Sequence, residues 1–249
     1  MFRSSKELAA KVLARTVPTV ALIVVAASHS ARASNLVANG NFSVDAPSSG
    51  CVAGTTTLAD WTVEGNIDIG SVAPGCAPAL AAAPGATYFV DLTGSYAEEG
   101  QNDVGTISQT ISTVAGQKYN LSFYFGGNPQ WQSSPYTYPN DGPLKSMNVL
   151  LNGSVFGNFS VNTAGVSITN GQWALETLSF TATSNSTQIG FQSLDGISPN
   201  LSDYGPLLDD VQLTPVPLPD SAWQLISGLI GSGLIMRGGR RNYLPHGPE

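Results

Sequence analysis

Fourteen carboxylates, and neither a histidine nor an arginine, stand between Ser34 and Pro219. That inventory limits the chemistry before any fold is considered. Without histidine there is no Ser-His-Asp or Cys-His pair to activate a nucleophile, and the usual zinc ligand sets are missing. Glycoside hydrolysis needs only two carboxylates at a set separation. Glu64, Asp68, Asp91 and Glu98 are available for it, yet no spacing selects a pair. Asp68 and Asp91 read as hydrogen-bond acceptors near strand ends, and Glu98-Glu99 as a solvated loop. The expectation is a protein that binds rather than an enzyme.

Binding chemistry concentrates in one stretch, Gly126 to Gly142, where Trp131, Tyr136 and Tyr138 interleave with Asn128, Asp141 and several hydroxyls. A sugar offers an apolar ring face for aromatic stacking and a hydroxyl rim for amides and carboxylates, a mixture typical of ligand sites. The same aromatics also suit a long loop that packs back on its own domain, and both readings stay open. Trp61 and Trp173 fall in β-type runs and read as core or sheet-face residues. Cys51 and Cys76 are the only cysteines. As an even pair in an exported chain they are expected to form a disulfide, worth about 3–4 kcal/mol by loop entropy. Two separate thiols are the alternative.

The elements that must position these residues read as β throughout. Short runs rich in Val, Ile, Thr, Phe and Tyr recur between Gly, Pro, Asn and Ser. Candidate strands are 61–63, 66–69, 87–92, 106–111, 118–125, 146–151, 155–161, 173–181, 188–192 and 208–213. In 119–125 the odd positions are apolar or aromatic while Asn120 and Ser122 are polar, the pattern of a strand with one face on a core. No amphipathic helix of ordinary length intervenes. The expected fold is all-β, an antiparallel jelly-roll sandwich.

The two ends differ from this body. Arg3, Lys6, Lys11 and Arg15 precede an apolar run from Val17 to Ala27 and the small-residue site Ala31-Arg32-Ala33, which reads as a secretory signal peptide over 1–33. Residues 216–249 open on Val216-Pro217-Leu218-Pro219, continue through an apolar stretch over 221–236, and close on Arg237, Arg240 and Arg241. They read as a sorting signal whose hydrophobic helix holds the chain at a membrane, with the arginines on the cytoplasmic side. The domain itself is placed at 34–215. Between Ser34 and Pro219 only Lys118 and Lys145 oppose the fourteen acids, a formal charge of −12. Phosphate backbones require cationic neutralisation, so nucleic acid is excluded as a partner, and acidic glycans held by direct ion pairing are disfavoured unless a bound divalent cation bridges the charges.

Several motifs together resemble a known group. Asn35-Leu36-Val37-Ala38-Asn39-Gly40-Asn41-Phe42-Ser43 is similar to the opening of galactose-binding-like modules. Asp60-Trp61-Thr62-Val63, Phe89-Val90-Asp91-Leu92, Gly105–Thr110, Gly126-Gly127-Asn128-Pro129 and Leu208-Asp209-Asp210-Val211 continue the likeness. The chain resembles the choice-of-anchor C family, grouped with plant relatives under domain of unknown function 642, across nearly all of 34–219. Its tail resembles a PEP-CTERM sorting signal in a VPLP variant. The resemblance implies export, transient inner-membrane anchoring and exosortase processing, and then a cell-surface or extracellular location in a Gram-negative bacterium. It also implies a structural calcium ion held by the opening and closing segments, which here means the backbone of Asn39–Ser43 (Asn39, Asn41 and Ser43) with Asp209 or Asp210 as carboxylate. Strand alternation puts Asp209 on the core side with Val211 and Leu213, making it the better ligand. Ser43 stands where the family has glutamate, and Asp45 is placed to compensate. The expected function is non-catalytic binding of an exopolysaccharide or other surface glycan. A purely structural or adhesive surface protein is the alternative.

Overall fold

A computed structural model describes residues 34–45, 51–72, 80–95, 104–133, 142–195 and 204–217. Eleven strands follow in chain order: β1 Val52–Thr55, β2 Thr62–Glu64, β3 Ile67–Ser71, β4 Tyr88–Asp91, β5 Thr106–Ser112, β6 Lys118–Gly127, β7 Leu144–Leu151, β8 Ser154–Asn162, β9 Ala174–Thr181, β10 Ser186–Ser193 and β11 Pro206–Pro215. One 3-10 turn, Pro129–Ser133, lies between β6 and β7. The strands form two sheets, one ordered β1-β3-β4-β11-β6-β9 and one ordered β2-β5-β10-β7-β8. Every strand pairing is antiparallel. This is the expected jelly-roll sandwich.

Alternation explains why these segments are strands. In β6, Tyr119, Leu121, Phe123 and Phe125 are buried while Asn120 and Ser122 face outward. Across the sandwich they meet Met147, Val149, Ile189 and Phe191 from the second sheet. Phe123 sits at the centre, with ring centroids 5.1 Å from Phe191 and 5.3 Å from Phe159. Burying a side chain of this size is worth about 1.5–3 kcal/mol, so a row of such residues fixes the register.

The ten expected strands are all present. The sequence reading missed β1, whose Val-Ala-Gly-Thr lacks alternation, and the 3-10 turn. Trp61 is buried against Phe42 and Phe191, and Trp173 packs on Phe89 over the outer face of the six-stranded sheet. Cys51 is disulfide-bonded and no described cysteine is free. Cys76, its expected partner, lies outside the described residues.

The membrane anchor expected of 221–236 is corrected. Among the described residues no helix is long and apolar enough to cross a membrane, and 221–236 itself lies outside them. Sixteen residues containing Gly228, Gly231 and Gly233 also fall short of the ~20 apolar residues a span needs. A membrane partner and transient inner-membrane anchoring are therefore dropped. The expected signal peptide over 1–33 also lies outside the described residues.

Candidate functional site

The 3-10 turn after β6 carries the described part of the aromatic stretch. Asn128 precedes it and is 7% exposed. Its Oδ1 accepts the Gln130 N–H at 3.0 Å, capping the turn, and its Nδ2 donates to Asp91 Oδ2 at 2.8 Å. Asp91 also accepts from the Thr93 and Gly205 amides, each at 3.0 Å to Oδ1. Loops after β4, β6 and β10 thus meet on one buried carboxylate. Burial, followed by the charge of Asp68 directly across the β3–β4 pair, pushes Asp91 up to about 8.

Trp131 sits on this turn with its ring partly exposed. Its Nε1–H donates to Thr163 Oγ1 at 2.8 Å, and that hydroxyl donates to Pro143 O at 2.9 Å. Gln132 Nε2 further ties the turn to Val166 O at 3.0 Å. The indole is fixed at one edge with part of its surface open. Of the expected ligand-binding residues, the structure brings together Trp131 and Asn128. Both polar ends of Asn128 are engaged inside the protein. Tyr136, Tyr138 and Asp141 lie outside the described residues.

Sequence reading missed Lys145, which is fully buried at this end of the sandwich with Nζ donating to Tyr204 O. The signal was present, because Lys145 shares the inward parity of Met147 and Val149 on β7.

The expected calcium residues are adjacent but differently disposed. Val211 N–H donates to Gly40 O at 2.9 Å, joining the opening turn to β11. Yet β11 carries a bulge between Asp209 and Gln212, with Asp210 at φ +44. A bulge adds a residue and shifts parity. Leu208 opposite Phe125 and Leu213 opposite Leu121 both face the core, whereas Asp209 lies opposite Tyr124 on the outer face. The expectation that Asp209 shares the face of Val211 and Leu213 is therefore corrected.

Most side-chain oxygens of the set are occupied. Asn39 Oδ1 accepts from Val44 N–H, Asn41 Oδ1 accepts from Ser43 N–H and Oγ–H, and Asp210 Oδ2 accepts from Gln212 Nε2. Asp45 Oδ2 accepts from Ala59 N–H. Asp209 Oδ1 takes the Asp210 N–H at 2.6 Å, while Oδ2 is buried without a partner. Burial pushes Asp209 up to about 7. Calcium takes six to eight oxygens, backbone carbonyls as well as carboxylates, and Asp209 Oδ2 is one oxygen of the set with no hydrogen-bond partner. Among the described residues no group of three acidic, histidine or cysteine side chains could hold a metal. Calcium at these residues remains what the family resemblance implies.

An antiparallel two-sheet sandwich with a fixed, partly exposed indole at one end defines a β-sandwich module. The chain belongs to the family described as "Protein of unknown function (DUF642)", matched over residues 35–214. None of the curated proteins matches it. Among solved structures it is similar to TmCBM61 in complex with β-1,4-galactotriose, at 16% identity over 74% of this chain and 100% of that one, TM-score 0.42. It is similar to a cyclase from Fischerella sp. TAU, at 16% identity over 75% and 99%, TM-score 0.46. A family 35 carbohydrate binding module from Clostridium thermocellum shows 15% identity over 66% and 98%, TM-score 0.37. At these identities and scores the likeness brings no activity with it.

Proposed function

We propose that the protein is a non-catalytic carbohydrate-binding module that holds a polysaccharide through the 128–133 turn. The observation that carries this reading is Trp131. Its N–H is bonded to Thr163 Oγ1, so the indole is held in place before any ligand arrives. Its remaining exposed surface offers a stacking face to a sugar ring. Pre-ordering matters because each rotamer-rich side chain immobilised on binding costs about 0.5–1.5 kcal/mol. Tyr136, Tyr138 and Asp141 follow on the same connection in sequence and would extend the contact.

Affinity electrophoresis of the full chain through polysaccharide gels tests it. Trp131→Ala is expected to lose retardation in whichever gel slows the wild type while the far-ultraviolet circular dichroism is unchanged. Undiminished retardation of the variant would overturn the reading.

One observation favours a second reading, that of an adhesive surface protein. β8 is a nine-residue edge strand with neither charge nor proline, and Val155 and Phe156 are exposed on it. Edges usually carry such blocking residues. Under this reading light scattering would show a mass that rises with concentration, and a constant monomer mass would remove it.

A further inference from the structure

The outer face of the five-stranded sheet carries a line of polar side chains that the Trp131 reading does not use. Asn158 lies opposite Asn148, Asn148 opposite Gln192, Gln192 opposite Thr106, and Thr106 opposite Glu64. Residues directly opposite in antiparallel pairs share a face, so the line crosses all five strands. It spans four inter-strand spacings, about 19 Å. The amides are ordered among themselves. Asn158 Nδ2 donates to Asn148 Oδ1 at 3.1 Å, and Asn148 Nδ2 donates to Gln192 Oε1 at 3.3 Å. That chain leaves an acceptor at its Asn158 end and an NH2 donor at its Gln192 end, both facing solvent.

The neighbouring row supplies what an amide line lacks. Val155 lies opposite Leu150, Leu150 opposite Gly190, and Gly190 opposite Ser108. Val155 is 63% exposed. Gly190 itself is buried, and an added Cβ there would stand 3.4 Å from Leu150 Cβ and 3.5 Å from its Cδ1, so the Leu150 side chain leans over the glycine. An aliphatic strip of Leu150 and Val155 therefore runs beside an ordered ladder of donors and acceptors. Glu64 is the one charged residue among the outward positions of these five strands.

From this juxtaposition we infer that the face binds a neutral polysaccharide chain lying across the strands. Hydroxyls both donate and accept, and so match amides that do the same. The C–H face of a pyranose covers the Leu150–Val155 strip. A polyanion finds no cation on this face and a carboxylate at its end, so charge complementarity excludes it. This second surface shares the glycan reading of the previous section but not its residues.

The test uses the full chain in gels containing neutral β-glucan or galactomannan, with polygalacturonate as the anionic control. Two variants probe the face, Asn148→Ala/Gln192→Ala and Ser108→Lys, with thermal melts confirming that each folds. Each is expected to weaken retardation in a neutral gel by about tenfold or more in apparent Kd, which is 1.4 kcal/mol. Trp131→Ala separates the two sites. If it abolishes retardation and both face variants match the wild type, the face is overturned and the turn stands. If the face variants lose binding and Trp131→Ala does not, the reverse holds. Retardation by polygalacturonate alone, or by no gel, overturns the face.

Discussion

At the residue scale the most telling groups are the buried carboxylates, because their energetics oppose the charge the sequence assigns them. Asp209 is fully buried and Asp91 nearly so, and burial raises both, to about 7 and about 8. Asp68, facing Asp91, is also raised by burial. Unfolded, each carboxyl releases its proton near 3.9. Across the window from about 4 to 8 the folded chain therefore holds protons that the unfolded chain has released, and stability falls as pH rises through it. Wild type is expected to melt highest near the acid end of that window and to lose stability towards pH 8. Asp209→Asn should flatten the lower part of that slope, because a neutral amide has no proton to lose. A rise from about 3.9 to about 7 corresponds to a difference on the order of 4 kcal/mol, or roughly 8–16 °C in Tm for a domain of this size. Parallel pH melts of the two proteins check it, and identical slopes would mean that Asp209 is not the group responsible. None of this was legible from composition. The fourteen carboxylates look alike in sequence, and only the bulge and the loops that close over Asp91 distinguish them.

At the element scale the sequence revealed nearly everything that depends on alternation and little that depends on its interruption. Lys118 to Phe125 announces a half-buried strand because every second residue is apolar. The same logic misplaced Asp209, since a period of two cannot register the extra residue at Asp210. β1 was invisible because four residues containing a glycine carry no period. Glycine positions belong to this class. Gly70 lies directly opposite Phe89, and an added Cβ would stand 2.1 Å from Phe89 Cζ. The missing side chain lets the ring lie flat across β3, where it meets Trp173 edge-on at 5.9 Å. Gly70→Ala is expected to force the ring away at a cost of about 1–3 kcal/mol. Urea unfolding should show the loss as a lower midpoint with an unchanged slope. A midpoint within error of wild type would show that the ring shifts without penalty.

At the scale of the whole molecule the informative property is a mismatch between charge and surface. The segment from Ser34 to Pro219 is strongly acidic, yet the outward positions of its five-stranded sheet hold a single carboxylate. Among the described residues, Asp68, Asp91 and Asp209 instead serve as buried or half-buried acceptors on the six-stranded sheet. Such a body can meet a ligand in two ways that salt distinguishes. Contact through ion pairs, or through the general field of the domain, weakens as the Debye length shrinks from about 10 Å at 0.1 M to 3 Å at 1 M. Contact through amides, hydroxyls and stacked rings involves no fixed charge and is left nearly unchanged by screening. Retardation of the full chain in a neutral polysaccharide gel is therefore expected to stay within about twofold between low and high salt, at either the turn or the sheet face. Any repulsion from polygalacturonate should fade over the same range as the acidic field is screened. Loss of neutral-gel retardation at high salt would place the contact on charged groups. Neither Trp131 nor the Asn158–Gln192 line could then be the surface that holds the glycan.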